Sequence, residues 1–129
     1  MRYLTVAELL WLHKLIIANH GGRPGVQDLD RLETAAAQPQ RTYGGTDFYP
    51  TIAEQIGELA YSIVMGDSVV DGNKRVGHAA MEAFLMLNGY DMDSAGGEQE
   101  SLVVDLASGR VAREQLSEWV KSHMRPLLT

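Results

Sequence analysis

Apolar residues recur along most of this chain at the three- and four-residue steps of a helix, and Gly, Pro, Asp and Asn mark the breaks between the periodic stretches. Thr5-Val6-Ala7-Glu8 reads as a capping box, in which hydroxyl and carboxylate each satisfy an orphan backbone donor. Leu9, Leu12 and Ile16 then form one stripe of a first helix that ends at Gly21-Gly22. Asp28 predicts the cap of a short second helix with Leu29, Leu32 and Ala36 on one side, stopped by Pro39. From Gln40 to Tyr49 the period disappears. Gly44, Gly45, Thr46, Asp47 and Phe48, with aromatic residues on both sides of the glycines, predict an exposed loop or short hairpin, a flap. Thr51-Ile52-Ala53-Glu54 reads as a second capping box, and Ile52, Ile56, Leu59 and Ile63 carry a third helix to Met65-Gly66.

A tight segment from Asp67 to Asp71 leads into a fourth helix. Its Val76, Ala79, Ala80, Ala83, Phe84 and Leu87 give a broad apolar face, which marks it as the expected central helix, ending at Asn88-Gly89. A fifth helix runs from about Glu98 to Ala107 and stops near Gly109. A sixth, from about Ala112 to Met124, is expected to bury Leu116, Trp119, Val120 and either His123 or Met124. Trp11 and Trp119 read as packing anchors, and Met65, Met81, Met86, Met92 and Met124 as gap fillers of a helical core. With no strand pattern of useful length, the class is all-α: a compact bundle of about six helices with a short flap before the third, as a single domain over 1–129.

Composition narrows the function classes. The 129 residues, 45% of them hydrophobic, suffice for one core. There is no cysteine, so disulfides and thiolate metal sites are excluded. Glu8 sits where a signal peptide needs an apolar run, and no apolar stretch reaches membrane-spanning length, so a soluble, cytoplasmic protein without a membrane partner is expected. The net charge of −6, with Lys and Arg scattered, argues against direct nucleic-acid binding. A nucleotide is a different case, because a few donors at one helix start can hold a phosphate whatever the global charge.

Such donors are expected at Asp71-Gly72-Asn73-Lys74-Arg75, where a loop becomes the fourth helix. Gly72 admits a phosphate close to the backbone, Asn73 offers an amide, Lys74 a point charge and Arg75 a planar fork. Asp71 can hold a divalent cation that bridges phosphate oxygens. The same residue types also make ordinary helix starts. A cation pair in a first turn opposes the helix dipole, however, and suggests an anion to be held.

This turn and its surroundings closely resemble the Doc (death-on-curing) branch of the Fic/Doc superfamily, whose signature reads His-Pro-Phe-Val-Asp-Gly-Asn-Lys-Arg at such a junction. Tyr3-Leu4-Thr5, Gly21-Gly22-Arg23-Pro24-Gly25, Leu32-Glu33, Ala37-Gln38-Pro39, Tyr43-Gly44-Gly45, Tyr49-Pro50-Thr51 and Leu87-Asn88-Gly89-Tyr90 resemble further landmarks of that family, in order. The resemblance implies a toxin of a toxin-antitoxin module, neutralised by a Phd-like antitoxin, that uses Mg2+ and ATP to phosphorylate a threonine of elongation factor Tu. It implies that Asp71 binds the metal, that Gly72, Asn73, Lys74 and Arg75 cradle nucleotide phosphates, and that the flap docks the target. AMP transfer, the activity of most Fic relatives, is the alternative. Lys74 and His78 lean away from it, because those relatives usually carry glycine and a second arginine there.

One position departs from the pattern. Asp67 stands where the resemblance puts the general-base histidine, and Met65-Gly66-Asp67-Ser68-Val69 differs at the neighbouring positions as well. A carboxylate can take up or orient a hydroxyl proton in phosphoryl transfer, although aspartate reaches less far than histidine. Alternatively Asp67 and Asp71 bind metal together, while His78, one turn beyond Arg75, takes a catalytic or phosphate-contacting role instead of packing. A further alternative is a degenerate module that binds nucleotide or antitoxin and transfers nothing. Ser94-Ala95-Gly96-Gly97-Glu98 is similar in part to an inhibitory motif of some Fic proteins, but Gln99 fails its last position and chance accounts for it.

Overall fold

The computed structural model describes residues 1–95 and 97–127; Gly96, in the stretch just named, and Leu128 and Thr129 lie outside the described residues. The chain forms helices α1 (Val6–His20), α2 (Leu29–Ala37), α3 (Ile52–Gly66), α4 (Asn73–Leu87), α5 (Glu98–Ala107) and α6 (Arg113–His123). Strands β1 (Thr42–Tyr43) and β2 (Thr46–Asp47) form the flap hairpin before α3, and β3 (Tyr90–Met92) pairs antiparallel with β4 (Met124–Pro126). The expected all-α bundle is therefore what the sequence builds. The last strand pair was not legible in it, and α6 stops at His123 because Met124 leaves the helix to pair with Met92.

Helix α1 begins with the predicted reciprocal cap: Thr5 Oγ1 accepts the Glu8 N–H and Glu8 accepts the Thr5 N–H. Arg2 grips the same carboxylate at 2.6 and 2.9 Å. With Arg2 foremost and the Thr5 N–H next, these partners lower the Glu8 pKa to about 2. The cap of α3 is only half of what the sequence suggests. Thr51 accepts the Glu54 N–H, but the Glu54 carboxylate takes the Thr51 hydroxyl at 3.0 Å instead of its N–H.

The centre of the bundle is α3, not α4. It packs against α2, α4, α5 and α6 and buries Ile56, Leu59, Ala60 and Ile63. Two glycines let its neighbours close in. A Cβ on Gly77 of α4 would lie 2.6 Å from Val64 Cγ2, and one on Gly57 of α3 would overlap the Ser117 hydroxyl of α6. Facing α3, helix α4 contributes Val76, Ala80, Met81, Phe84 and Leu85 to the core.

Several apolar positions fall outside the predicted faces. Trp11 is 61% exposed and is no packing anchor; it lies about 200° around α1 from the buried Leu9. Apolar residues occupy nearly every side of α1, so periodicity alone cannot choose its buried face. Leu29, Leu87, Met65 and Met86 are also exposed, each near a helix end where the neighbouring helix no longer covers it. Met81 and Met92 are buried as expected, while Met124 and Trp119 lie half-buried against the core.

Candidate functional site

The loop between α3 and α4 is fixed from both sides. Asp67 closes α3 in the left-handed conformation (φ 52°, ψ 37°), the only non-glycine residue with positive φ among the described residues. Aspartate is one of the few side chains that tolerate this region. The following residues pair with the segment after α1. Val69 and Val26 form an isolated antiparallel bridge, the Gln27 and Asp28 N–H groups both donate to Ser68 O, and the Val70 N–H donates to Gly25 O. From the other side, Asn73 Oδ1 accepts the Val69 N–H at 3.2 Å and its Nδ2 donates to Val69 O at 3.0 Å. The side-chain amide of Asn73 thus ties the loop to the first turn of α4.

Asp71 is held by two groups, and a third position leaves room for it. The buried His13 of α1 lies 2.8 Å from the Asp71 carbonyl; because that oxygen can only accept, Nε2 carries the proton and donates it. The Arg23 N–H donates to Asp71 Oδ2 at 3.1 Å. Gly22, at φ 113°, makes room for that carboxylate, since a Cβ there would stand 2.8 Å from Oδ2. Nothing in the sequence near His13 points to this partner, which lies in a distant loop. The available signal was its placement one turn after Leu9 on the buried side of α1.

Helix α4 then starts with no cap. Gly72 sits at φ 90° as its N-cap, no side chain bonds to its first turn, and it has no acidic residue there, unlike α1, α2, α3, α5 and α6. The N–H groups of the first turn have no intrahelical acceptor and carry the positive end of the helix dipole. Lys74 and Arg75 extend from the same turn and are exposed. Asp67, Asp71, Gly72, Asn73, Lys74 and Arg75 all line one cleft of about 380 Å³, so the fold brings the predicted turn residues and Asp67 together. Chemically, this is a donor-rich surface that sets the positive end of the helix dipole, Lys74 and Arg75 beside the carboxylates of Asp67 and Asp71, an arrangement suited to a phosphate-class anion accompanied by a cation.

Two groups of candidate residues stand apart from that cleft. His78 lines a second groove of about 490 Å³ between α1, α4 and α5, which shares Ile16, Lys74 and Arg75 with the first. The flap residues Gly44, Gly45, Thr46, Asp47 and Phe48 do not line the cleft. Gly44 and Gly45, at φ 58° and 81°, make the hairpin's tight turn, which leaves Tyr43 82% exposed and Phe48 half exposed under the Arg41 guanidinium.

A metal ion fits this donor set only in part. Among the described residues no three His, Cys, Asp or Glu side chains gather at one point. Asp71 has one carboxylate oxygen, Oδ1, without a hydrogen-bond partner among the described residues, so phosphate oxygens would have to complete the shell of a cation held there.

The Fic/DOC family matches residues 3–85, a stretch that includes the flap, the α3–α4 loop and the start of α4. Toxin Doc of Mycolicibacterium smegmatis is 38% identical over 81 residues, 58% of this chain and 62% of that protein, so the chain matches less than two-thirds of that relative's length. Protein kinase doc of Escherichia phage P1 is 26% identical over 124 residues, 94% of each chain. With the family match spanning most of the helical core and both relatives bearing the Doc name, the chain belongs to the Fic/DOC family, on its Doc side.

Proposed function

We propose that this protein is a Doc-like toxin that transfers a phosphate from Mg2+-ATP to a threonine of a translation factor, elongation factor Tu, and that a Phd-like antitoxin neutralises it. The observation that carries the proposal is the uncapped, acid-free start of α4, with Gly72 at φ 90° and Lys74 and Arg75 in its first turn. The backbone N–H groups of Gly72, Asn73, Lys74 and Arg75 and the two cationic side chains bind the phosphates. Asp71, oriented by His13 and Arg23, holds magnesium together with phosphate oxygens. The ion supplies charge neutralisation for the transferring phosphoryl group. Asp67 lies in the same cleft, where its carboxylate accepts or orients the proton of the target hydroxyl. The exposed edge of the flap hairpin offers backbone groups and aromatic rings for docking the target segment.

The test is mass spectrometry of purified elongation factor Tu after incubation with the protein, magnesium and ATP, with Arg75→Ala in parallel. A phosphate on a threonine that disappears with the variant is the expected result. An AMP adduct would transfer the protein to the AMP-transferring side of the family.

A second reading, a module that binds nucleotide or antitoxin without transferring anything, is favoured by one observation: Asp67 stands where the resemblance places a histidine base. Asp67→His separates the two readings. Histidine tolerates the left-handed backbone nearly as well as aspartate, so the substitution is compatible with the loop. Transfer gained by the variant, from a silent parent, would assign the loss to this one side chain.

A further inference from the structure

Asp67 occupies a region of backbone space that a non-glycine residue keeps only where its surroundings over-determine it. The first turn of α2 supplies those surroundings. Arg31 Nη1 donates to Gly66 O at 3.1 Å, across thirty-five positions of sequence, and so fixes the carbonyl that precedes Asp67. The N–H groups of Gln27 and Asp28 donate to Ser68 O at 2.8 and 3.0 Å and fix the carbonyl of the residue that follows it. Asp28 joins the two holds: its Oδ1 accepts the Arg31 N–H at 3.1 Å, and its Oδ2 lies 3.3 Å from Arg31 Nε.

Charge supplies a second reason for this contact. Helix α3 ends on an acidic C-cap, Asp67, with no basic residue in its own last turn, so the negative end of its dipole meets a like charge. The Arg31 guanidinium brings from α2 the cation that α3 lacks, and it bonds one of the carbonyls that have no partner within the helix. The Arg31–Asp28 pair lies at the surface, its side chains 59% and 40% exposed, and adds little to global stability. Its effect is local. Arg31 and Asp28 line a groove between α2 and α3 that shares no lining residue with the cleft of Asp67 and Asp71, so both act on the loop and not on a ligand in the cleft.

We propose that Arg31, held by Asp28, is a positioning residue for Asp67: by fixing the Gly66 carbonyl it keeps Asp67 left-handed and its carboxylate at the cleft. This rests on the function proposed above, in which that carboxylate accepts or orients the proton of the target hydroxyl, and adds to it a residue that touches neither substrate nor metal. Loss of the guanidinium frees the peptide unit between Gly66 and Asp67 to turn. A carboxylate that must come within hydrogen-bond distance of a hydroxyl is sensitive to such a displacement, whereas the phosphate contacts at the start of α4 are not.

Two measurements on the wild-type protein, Arg31→Met, Arg31→Lys and Asp30→Asn test the inference. One is steady-state transfer of phosphate from Mg2+-ATP to elongation factor Tu. The other is NMR of Asp67, whose backbone carbon shifts and amide to α-proton coupling distinguish a left-handed from a right-handed residue. Arg31→Met should lower kcat about tenfold, with KM for ATP and the unfolding midpoint scarcely changed, and move the Asp67 signals off left-handed values. Arg31→Lys, which keeps a donor and a charge, should recover most of both, and Asp30→Asn, exposed on the same turn, should alter neither. A merely structural Arg31 would lower the unfolding midpoint and leave the kcat of the folded protein as it was. If Arg31→Met leaves Asp67 left-handed, or moves it with kcat unchanged, the inference is wrong. If the wild-type protein transfers nothing, the function proposed above fails, and the NMR arm alone decides the clamp: Asp67 released in Arg31→Met supports it, and Asp67 retained overturns it.

Discussion

Helices α1 and α4 are each fifteen residues long and pack against one another, yet they begin in opposite ways. The start of α1 is self-sufficient: Thr5 and Glu8 satisfy each other's backbone donors, and Arg2 neutralises the carboxylate. At the start of α4 there is a left-handed glycine, no cap and two cations, with the loop's hydrogen-bonding capacity directed at holding its backbone in place. Stability is local at the first and borrowed from neighbours at the second. A helix start that leaves its own donors unanswered is available to an anion from outside.

The sharpest break of this contrast is Arg75→Ala, expected to reduce transfer about a hundredfold or more by removing a donor aimed at the phosphates, with little change in melting temperature. Next comes Gly22→Ala, which forces a side chain at φ 113° to within 2.8 Å of Asp71 Oδ2. A loss of about 1–3 kcal/mol in denaturant unfolding, together with weaker magnesium-dependent nucleotide binding, is the expected outcome. At α1, Thr5→Ala should remove about 1 kcal/mol of stability and leave phosphate affinity untouched; a change in that affinity would break the separation between the two starts. The smallest effect is expected from Lys74→Glu, which gives α4 the acidic first turn of the other helices. It should stabilise the fold by about 0.5 kcal/mol in thermal melts while phosphate binding falls.

The α1 start also carries a pH signature. Because the folded pKa of Glu8 is depressed to about 2, its contribution is complete above the ordinary glutamate range and is lost as pH falls towards about 2. Acid unfolding curves of Glu8→Gln should lack that component, whereas those of Lys74→Glu should retain it.

The order of helices, the flap and the glycine-led turn into α4 were legible in the sequence because each rests on neighbours in sequence: a cap, a glycine pair, a helical period. What escaped depends on distant partners. His13 acquires its role from a carbonyl fifty-eight positions away, and Gly22 from the carboxylate of Asp71. The sequence suggested that the Asn73 amide would face the ligand, but Val69 takes both of its polar atoms. The β3–β4 pair joins segments more than thirty residues apart, each too short to show an alternating pattern. Trp11 shows the converse difficulty, since an apolar residue with helical spacing can still face outward when its helix is apolar on most sides.

The bridge between Val26 and Val69, with the bonds from Gln27, Asp28 and Val70 around it, has a consequence for how the molecule opens. The segment after α1 and the loop before α4 are stitched into one small cooperative unit, so neither can detach without releasing the other. Asp71 belongs to both sides of that unit, through Arg23 and His13. Amide protons of Gln27, Asp28 and Val70 should therefore show one common protection factor, set by a single opening event. A phosphate ligand at the start of α4 should slow all three together, reporting occupancy at a distance from the atoms it touches.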